Sequence, residues 1–320
     1  MTPHWQPWHP VPPLPHAVAF TPAVLAELLD GGQAFRWHAQ PDGSFEGHWS
    51  AHHVRVRLAP ASPGTLEFTT PRTDSAAFAT TATALHRYLS GPASDPDALP
   101  WRSDAHLAAA MAACPGLRIL RQPFGETLLG FVCSATKQIV QIKQMMSLLA
   151  ARHGRALPHG AHALPDWTEL AAVSEEQLRT CALGFRARHV AGIARFLVEN
   201  PGWLDATEAA PYPEAKARLL TLPGVGEKIA DCVLLFGAGR LEAFPVDTWI
   251  IKAMERRYEL EGWKPAQIAH FGRRHFGPQA GLAQQYLFAY ERAQSRPTPP
   301  HRPNAQPPHA LTAAGACPNR

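Results

Sequence analysis

Leu222–Phe236 reads LPGVGEKIADCVLLF, with two glycines around one valine and then apolar residues at helical spacing. The preceding stretch, Pro213–Leu220, is also helical in pattern, so the two together predict a helix–hairpin–helix. Glycines let such a turn expose backbone N–H groups at the start of a helix, where the helix dipole is positive. This predicts a phosphate-binding turn at Gly224 and Gly226. Gly-x-Gly alone also fits an ordinary connection between two helices.

Lys228 lies in the first turn of the helix that follows this hairpin, where the dipole disfavours a cation. The same field favours the free amine, which is the form that attacks as a nucleophile. A surface lysine that touches a DNA phosphate fits the position equally well. Cys232 is four residues further on and shares the helical face of Lys228. It is either a second group in the same pocket or a core residue.

Asp247 belongs to a second informative stretch, Phe244–Ile250, which reads FPVDTWI. It precedes a predicted helix, Thr248–Tyr258, and is therefore expected to be the N-cap of that helix. A capping aspartate that also faces a pocket can stabilise a cationic transition state. Lys228 and Asp247 are therefore the candidate catalytic pair.

The rest of the chain predicts an α+β protein in two parts. Residues 17–100 are expected to form a small antiparallel sheet domain, because His53–Leu58 and Thr65–Thr69 alternate apolar and polar residues and turn-forming prolines and a glycine lie between them. Residues 101–295 show helical spacing with short turns, which predicts an all-helical domain. One of its predicted helices is Ser174–Cys181.

Composition limits the class of protein and its cofactors. The 320 residues are 46% hydrophobic and 18% charged with a net charge of +4, which excludes a polycationic or an acidic disordered chain. No apolar run is long enough for a membrane span, and the N-terminus is not a secretory signal, so we expect a soluble intracellular protein. The five cysteines contain no closely spaced cluster, so neither a zinc site nor an iron–sulfur cluster held by cysteines is expected, nor any other cofactor.

The 32 prolines concentrate at the two ends of the chain. Residues 1–16 and residues 296–320 are rich in proline and have almost no apolar periodicity. Such composition does not support a packed core. Both ends are therefore predicted to be extended or disordered.

LPGVGEKIADC followed by FPVDTWI resembles the helix–hairpin–helix DNA glycosylase superfamily. Within it, four further segments are similar to the 8-oxoguanine DNA glycosylases and occur in the family's order: Gly32–Trp37 (GQAFRW), Leu117–Ile139 (LRILRQPFGETLLGFVCSATKQI), Ala182–His189 (ALGFRARH) and Gly277–Phe288 (GPQAGLAQQYLF). The similarity covers about residues 17–294. It implies an N-terminal antiparallel sheet resembling the TATA-binding protein, followed by helical helix–hairpin–helix glycosylase domains.

The resemblance implies a base-excision repair enzyme, a DNA N-glycosylase with apurinic or apyrimidinic lyase activity. In the family, a lysine at the position of Lys228 attacks the sugar C1′ of the damaged nucleotide and expels the base. A Schiff base forms, and β-elimination then cuts the strand. An aspartate at the position of Asp247 stabilises the oxocarbenium charge. The implied partner is double-stranded DNA that contains 8-oxoguanine, with no membrane. The expected state is a monomer in the cytoplasm, associated with the nucleoid in a bacterium.

The resemblance also assigns a pocket for the flipped base. Phe288 and Cys232 would sandwich the base, and Gln284 would contact its Watson–Crick edge. Gly32 would offer its carbonyl to the N7 hydrogen that 8-oxoguanine has and guanine lacks. Taken singly, these residues have simpler explanations: Phe288 fits a core position, Gln284 a solvated helix face and Gly32 a helix C-cap.

The DNA contacts match the family in part. Phe185 and Arg186 correspond to the wedge that fills the gap and to the contact with the opposite cytosine. Thr136 stands where relatives have an asparagine, and Gln141 where they have an arginine; both family residues contact that cytosine. We therefore expect a weaker preference for cytosine opposite the lesion. Trp249 replaces a phosphate-binding histidine.

Three other kinds of protein share part of this pattern. Glycosylases for alkylated purines, of the 3-methyladenine type, share the sheet and the hairpin but lack the hairpin lysine, so Lys228 argues against them. The iron–sulfur glycosylases are disfavoured because the cysteine cluster is missing. A third interpretation, from a different class, is a non-catalytic helix–hairpin–helix module that only binds DNA. Such a module needs neither Lys228 paired with Asp247 nor a base pocket.

Overall fold

Five antiparallel strands form one sheet in the N-terminal part of the chain. The computed structural model describes residues 4–16, 19–72, 74–157 and 160–295. The strands are β1 (His9–Pro10), β2 (Trp37–Ala39), β3 (Phe45–Trp49), β4 (His52–Leu58) and β5 (Leu66–Thr69). Their order in the sheet is β1-β5-β4-β3-β2. Two helices accompany the sheet: α1 (Pro22–Asp30) and α2 (Ser75–Ser90).

The N-terminal segment joins this sheet. Strand β1 pairs with β5 and forms one edge of the sheet. The Trp5 ring lies under the guanidinium of Arg55 at 4.4 Å, and the Trp8 ring under that of Arg57 at 4.0 Å. This segment is therefore ordered against the sheet, so of the two predicted states it takes the extended one and not the disordered one. Proline is compatible with an edge strand, and cation–π contacts of the two tryptophans add to the ordering.

Twelve α-helices follow the sheet in the described residues. They are α3 (Ala105–Ala113), α4 (Phe124–Cys133), α5 (Ile139–His153), α6 (Trp167–Ala171), α7 (Glu175–Leu178), α8 (Arg186–Glu199), α9 (Trp203–Ala209), α10 (Tyr212–Leu220), α11 (Glu227–Phe236), α12 (Thr248–Tyr258), α13 (Pro265–Phe276) and α14 (Ala280–Ser295). The predicted α+β class is confirmed. No described helix is both long and apolar enough to cross a membrane. The predicted disordered tail, residues 296–320, lies outside the described residues.

The helix predicted at Ser174–Cys181 differs in the structure. Helix α7 ends at Leu178, and Arg179–Leu183 form a single π turn in which Ala182 has a φ of +62°. The chain is redirected here because Ala182 and Gly184 both adopt positive φ angles. This turn delivers the exposed Phe185 to the start of α8.

The helix–hairpin–helix consists of α10, the turn Leu222–Gly226 and α11, as predicted. Helix α11 is buried from Ile229 to Phe236 and packs on α4. Its one buried carboxylate, that of Asp231, is 2.9 Å from Lys216 Nζ and accepts a 2.8 Å hydrogen bond from the Tyr212 hydroxyl, both on α10. A buried charge needs such partners, so these contacts fix the angle between the two helices of the hairpin.

The buried Gln33 ties the sheet domain to the helical part. Its side-chain amide donates to the Arg118 carbonyl and accepts from the Leu120 N–H, each at 2.9 Å. The backbone carbonyl of Gln33 accepts a hydrogen bond from the side-chain amide of Gln122 at 2.6 Å. The loop after α1, which carries Gly32, is thereby held against the segment that leads into α4.

Candidate active site

A small cavity lies where α4, α11, α14, the start of α12 and the loop after α1 meet. All six residues predicted to be catalytic or base-binding line it: Gly32, Lys228, Cys232, Asp247, Gln284 and Phe288. They come from distant parts of the sequence, and only folding brings them together. The cavity has a volume of about 40 Å³, room for only a few water molecules. A purine base enters only if a wall moves.

Lys228 reaches from the first turn of α11 toward the end of α4. Its Nζ is 3.4 Å from Ser134 Oγ and 5.1 Å from the centre of the Phe131 ring. It also contacts the thiol of Cys232. Burial raises the pKa of Cys232 to about 12, so the thiol is neutral at physiological pH. The amine therefore sits among an aromatic face and two uncharged polar groups.

Asp247 is the N-cap of α12, as predicted. Its Oδ1 accepts hydrogen bonds from the Trp249 N–H at 3.0 Å and the Ile250 N–H at 2.9 Å. Burial raises the pKa of Asp247, while these N–H groups and the charge of Lys228 oppose that rise. The cap thus holds the carboxylate at one place on the cavity wall.

Gln284 and Phe288 form the α14 wall of the cavity. Gln284 is buried rather than on a solvated face, and its Nε2 donates to the Pro245 carbonyl at 3.0 Å. Phe288 is half-buried, with the guanidinium of Arg292 5.2 Å from its ring centre. Arg292 also donates to Glu27 at 2.7 Å and to the Gly31 carbonyl. The α14 wall is thus tied to the loop that bears Gly32.

Phe185, Arg186 and Thr136 form a second group outside the cavity. Phe185 is 46% exposed, which suits a side chain that intercalates. Arg186 is buried and donates to the Ala135 and Leu183 carbonyls and to Thr136 Oγ1 at 3.0 Å. In this conformation the guanidinium of Arg186, predicted to contact the opposite base, is bonded to the protein instead.

The two hairpin glycines differ in their surroundings. Gly224 has a φ of +78°, and a Cβ there would lie 2.5 Å from the His189 ring on α8. A Cβ on Gly226 would meet nothing within 4 Å, and no side chain caps α11. The first N–H groups of α11 therefore remain without an intrahelical acceptor. Trp249, the replacement for a phosphate-binding histidine, is half-buried in the first turn of α12.

Sequence reasoning missed several residues of the site. The cavity is also lined by Phe131, Phe236, Pro245 and Gln285. Ser134 was seen only as part of a similar segment, although it contacts Lys228. The one feature of the sequence that could have drawn attention to Ser134 is its position directly after an apolar helix and before a turn. Such serines are usually helix ends, so the contact emerges only in three dimensions.

One group of possible metal ligands occurs in the described residues: Glu46, His48 and His53, on β3 and β4. The two imidazole rings stack at 4.0 Å with their planes 25° apart. Stacked rings direct their in-plane nitrogen lone pairs side by side rather than toward one ion. Glu46 is moreover engaged by Arg55 at 2.7 Å. This arrangement does not suit a metal, and these residues do not line the cavity.

The hairpin, the lysine on its second helix and the aspartate that caps the next helix define a helix–hairpin–helix DNA glycosylase. The sequence profile of the N-terminal domain of 8-oxoguanine DNA glycosylase matches residues 18–128. The N-glycosylase/DNA lyase OGG1 of Arabidopsis thaliana is 30% identical over an aligned length of 313 residues, and the match covers 91% of this chain and 81% of the relative. The chain belongs to the 8-oxoguanine DNA glycosylase family, and it is a DNA repair enzyme of the N-glycosylase/DNA lyase type.

Two solved structures place the fold. The Clostridium acetobutylicum 8-oxoguanine glycosylase/lyase, bound to double-stranded DNA with cytosine opposite 8-oxoguanine, is 28% identical with a TM-score of 0.74; the match covers 84% of this chain and 92% of that one. A 3-methyladenine DNA glycosylase from Archaeoglobus fulgidus is 20% identical with a TM-score of 0.68, covering 91% and 100%. The second likeness shows only the fold. The alkylpurine alternative is therefore distant, and membership in an enzyme family argues against a non-catalytic module.

Proposed function

We propose that this chain removes 8-oxoguanine from double-stranded DNA and then cuts the strand, with Lys228 as the nucleophile and Asp247 as its electrostatic partner. The observation that carries the proposal is the shared cavity. The lysine, the aspartate and four candidate base contacts line it, and a non-catalytic DNA-binding protein has no use for that combination. The enzyme acts as a monomer, in the cytoplasm and on the nucleoid if the source is a bacterium.

The chemistry follows from an amine and a carboxylate that line the same cavity. The neutral Nζ of Lys228 attacks C1′ as the C1′–N9 bond breaks, and the bonding electrons leave with the base, which takes up a proton. The Asp247 carboxylate stabilises the positive charge that develops on the sugar. The attached nitrogen loses a proton, O4′ takes one up as the C1′–O4′ bond breaks, and the nitrogen lone pair forms the C=N bond of a Schiff base. Loss of a C2′ proton then eliminates the 3′ phosphate, and water releases Lys228.

Recognition of the lesion requires a flipped base. Phe288 and Cys232 bracket the base, and Gln284 contacts its Watson–Crick edge. The Gly32 carbonyl accepts the N7 hydrogen, which guanine lacks, so guanine would leave that carbonyl unpaired. Phe288 is the half-buried aromatic residue of the wall, and we assign it the movement that widens the small cavity.

The remaining contacts hold the duplex. The open N-terminus of α11 and the glycines of the hairpin take a backbone phosphate, and Trp249 lies beside the neighbouring helix start. Phe185 fills the gap left by the flipped base. Arg186 reaches the opposite base only after it leaves the Ala135 carbonyl.

Borohydride trapping tests the role of Lys228. Wild-type protein is expected to form a covalent adduct with a duplex that carries one 8-oxoguanine, and Lys228→Gln to form none, because no amine remains to make the Schiff base. Denaturing gels of the reduced mixture measure this. No adduct with the wild type, together with release of 3-methyladenine, would instead favour the alkylpurine activity.

Opposite-base preference tests the role of Thr136. Single-turnover excision rates are measured with each of the four bases opposite 8-oxoguanine. We expect rates for the other three bases within about 10-fold of that for cytosine, because a hydroxyl supplies fewer fixed hydrogen bonds than an amide. Thr136→Asn is expected to widen the difference. A cytosine rate far above the others in the wild type contradicts this.

A further inference from the structure

A serine at the end of α4 contacts the side chain of Lys228. Ser134 directly follows the last residue of α4 and is buried. Its Oγ lies 3.4 Å from the Lys228 Nζ. Nothing in the family resemblance or in the reaction above gives this hydroxyl a task.

The single proton of Ser134 is already committed. Its hydroxyl donates to the Phe131 carbonyl at 2.7 Å. Because a serine hydroxyl has one proton, the oxygen can only accept from Lys228. The result is a chain of hydrogen bonds from the amine through Ser134 to a carbonyl in the last turn of α4. Helix carbonyl ends carry partial negative charge, and linked hydrogen bonds polarise one another.

The turn that carries Ser134 is held on its far side. The Lys137 N–H donates to the Ser134 carbonyl at 3.2 Å. Arg186 donates to the Ala135 carbonyl and to Thr136 Oγ1. The backbone on both sides of the hydroxyl is therefore fixed, so its oxygen has one defined location.

We propose that Ser134 is a positioning residue for Lys228. By accepting one N–H of the neutral amine, its oxygen fixes the rotation of Nζ and leaves the nitrogen lone pair on the side away from Ser134, where it can meet C1′. The hydroxyl also accepts from the ammonium form that must lose a proton before attack. The proposal rests on the proposed role of Lys228 as nucleophile.

The test compares Ser134→Ala and Ser134→Cys with a matched control. Ser134→Cys keeps the side-chain size but offers a weak acceptor. The control is Thr127→Val, because Thr127 is also buried on α4 and its hydroxyl also donates to a helix carbonyl, that of Pro123 at 2.8 Å. Thr127 is not among the residues that line the Lys228 cavity. Thermal melting establishes a temperature at which every variant compared is folded.

The main readout is the single-turnover rate of borohydride trapping on a duplex with one abasic site, which requires Lys228 but no base excision. Both Ser134 variants are expected to trap on the order of 10-fold more slowly, the size of one hydrogen bond to an amine, with Thr127→Val near wild type. Affinity for the 8-oxoguanine duplex is expected to stay unchanged. The acid limb of the pH–rate profile is expected to move to lower pH in Ser134→Ala, because an acceptor for the ammonium is lost.

Three results would overturn the proposal: wild-type trapping rates in either Ser134 variant, an equal loss in Thr127→Val, or an unmoved acid limb. In those cases wild type still forms the adduct, and the role of Lys228 stands. No adduct from wild type on either duplex would overturn both proposals together. The two failures are therefore distinguishable.

Discussion

Helices α11 and α12 both begin at the cavity, and their first backbone N–H groups are treated in opposite ways. Helix α11 begins after Gly226 with no side-chain cap and open space around the glycine. Helix α12 begins with Asp247, whose carboxylate takes two of its backbone N–H groups. An open helix start can bind an anion from outside, whereas a capped start fixes an anion of the protein itself. We therefore expect the start of α11 to bind DNA and the cap of α12 to act in catalysis.

Replacing the charged cap by a neutral one is expected to have the largest effect. Asn caps helices as well as Asp, so Asp247→Asn should leave α12 intact and lesion binding near wild type. Turnover should fall by about 100- to 1,000-fold, because the charge that stabilises the sugar cation is lost. The single-turnover excision rate and the affinity for the lesion duplex are measured separately, so that an effect on turnover is distinguished from an effect on binding. Equal loss of affinity and rate would mean that Asp247 serves only as a cap.

The two hairpin glycines sharpen the comparison. Gly224→Ala should lower the free energy of unfolding by about 1–3 kcal/mol, because alanine is strained at positive φ and its Cβ meets His189. Gly226→Ala should cost less than about 1 kcal/mol, since alanine is only a poorer cap there. It should nevertheless weaken DNA binding on the order of 5-fold, if a phosphate approaches this backbone. Chemical denaturation measures the change in stability, and titration with DNA measures the change in affinity. An unchanged affinity in Gly226→Ala would mean that no phosphate binds at the start of α11.

The pH dependence of stability is the smallest effect. Burial raises the pKa of Asp247 in the folded protein above that of the unfolded chain. The folded state therefore holds this proton more tightly, and its contribution to stability is lost as pH rises through the folded pKa. Asp247→Asn should thus gain stability over wild type toward neutral pH, and the gain should shrink as pH falls through the folded pKa and be gone below the unfolded pKa of about 3.9. Thermal melting of both proteins from pH 4 to 7 measures this gain in stability. A gain that grows as the pH falls would contradict burial of Asp247 as its cause.

Local sequence was sufficient for the elements around the hairpin. Glu227–Phe236 and Thr248–Tyr258 are helices with the predicted bounds, because their apolar spacing and their start signals agree. For the N-terminal segment, proline content left an extended and a disordered chain equally open. The arginines that order Trp5 and Trp8 lie on a strand far along the chain. The composition of the N-terminal segment carries no information about partners that are so far away in the sequence.

Residues taken singly left the site undecided. Gln284 alone fitted a solvated helix face and Phe288 alone a core position, yet both line the cavity of Lys228. Their proposed roles came from resemblance to a family, and the roles themselves remain predictions. The contact between Ser134 and Lys228 joins residues 94 positions apart, which no local pattern reveals.

The sequence by itself determined the hairpin, the aspartate that caps α12, the helical character of the C-terminal part and the chemical types of the six cavity residues. Those features depend on residues close together in the chain, through backbone angles, helix dipoles and apolar period. Only the tertiary structure decided that Gly32, from the sheet domain, meets α11 and α14 at one cavity, that this cavity measures only about 40 Å³, and that the serine at the end of α4 contacts the amine. Such contacts depend on how distant segments pack, and the buried hydrogen bonds of Gln33 and Asp231 hold that packing in place.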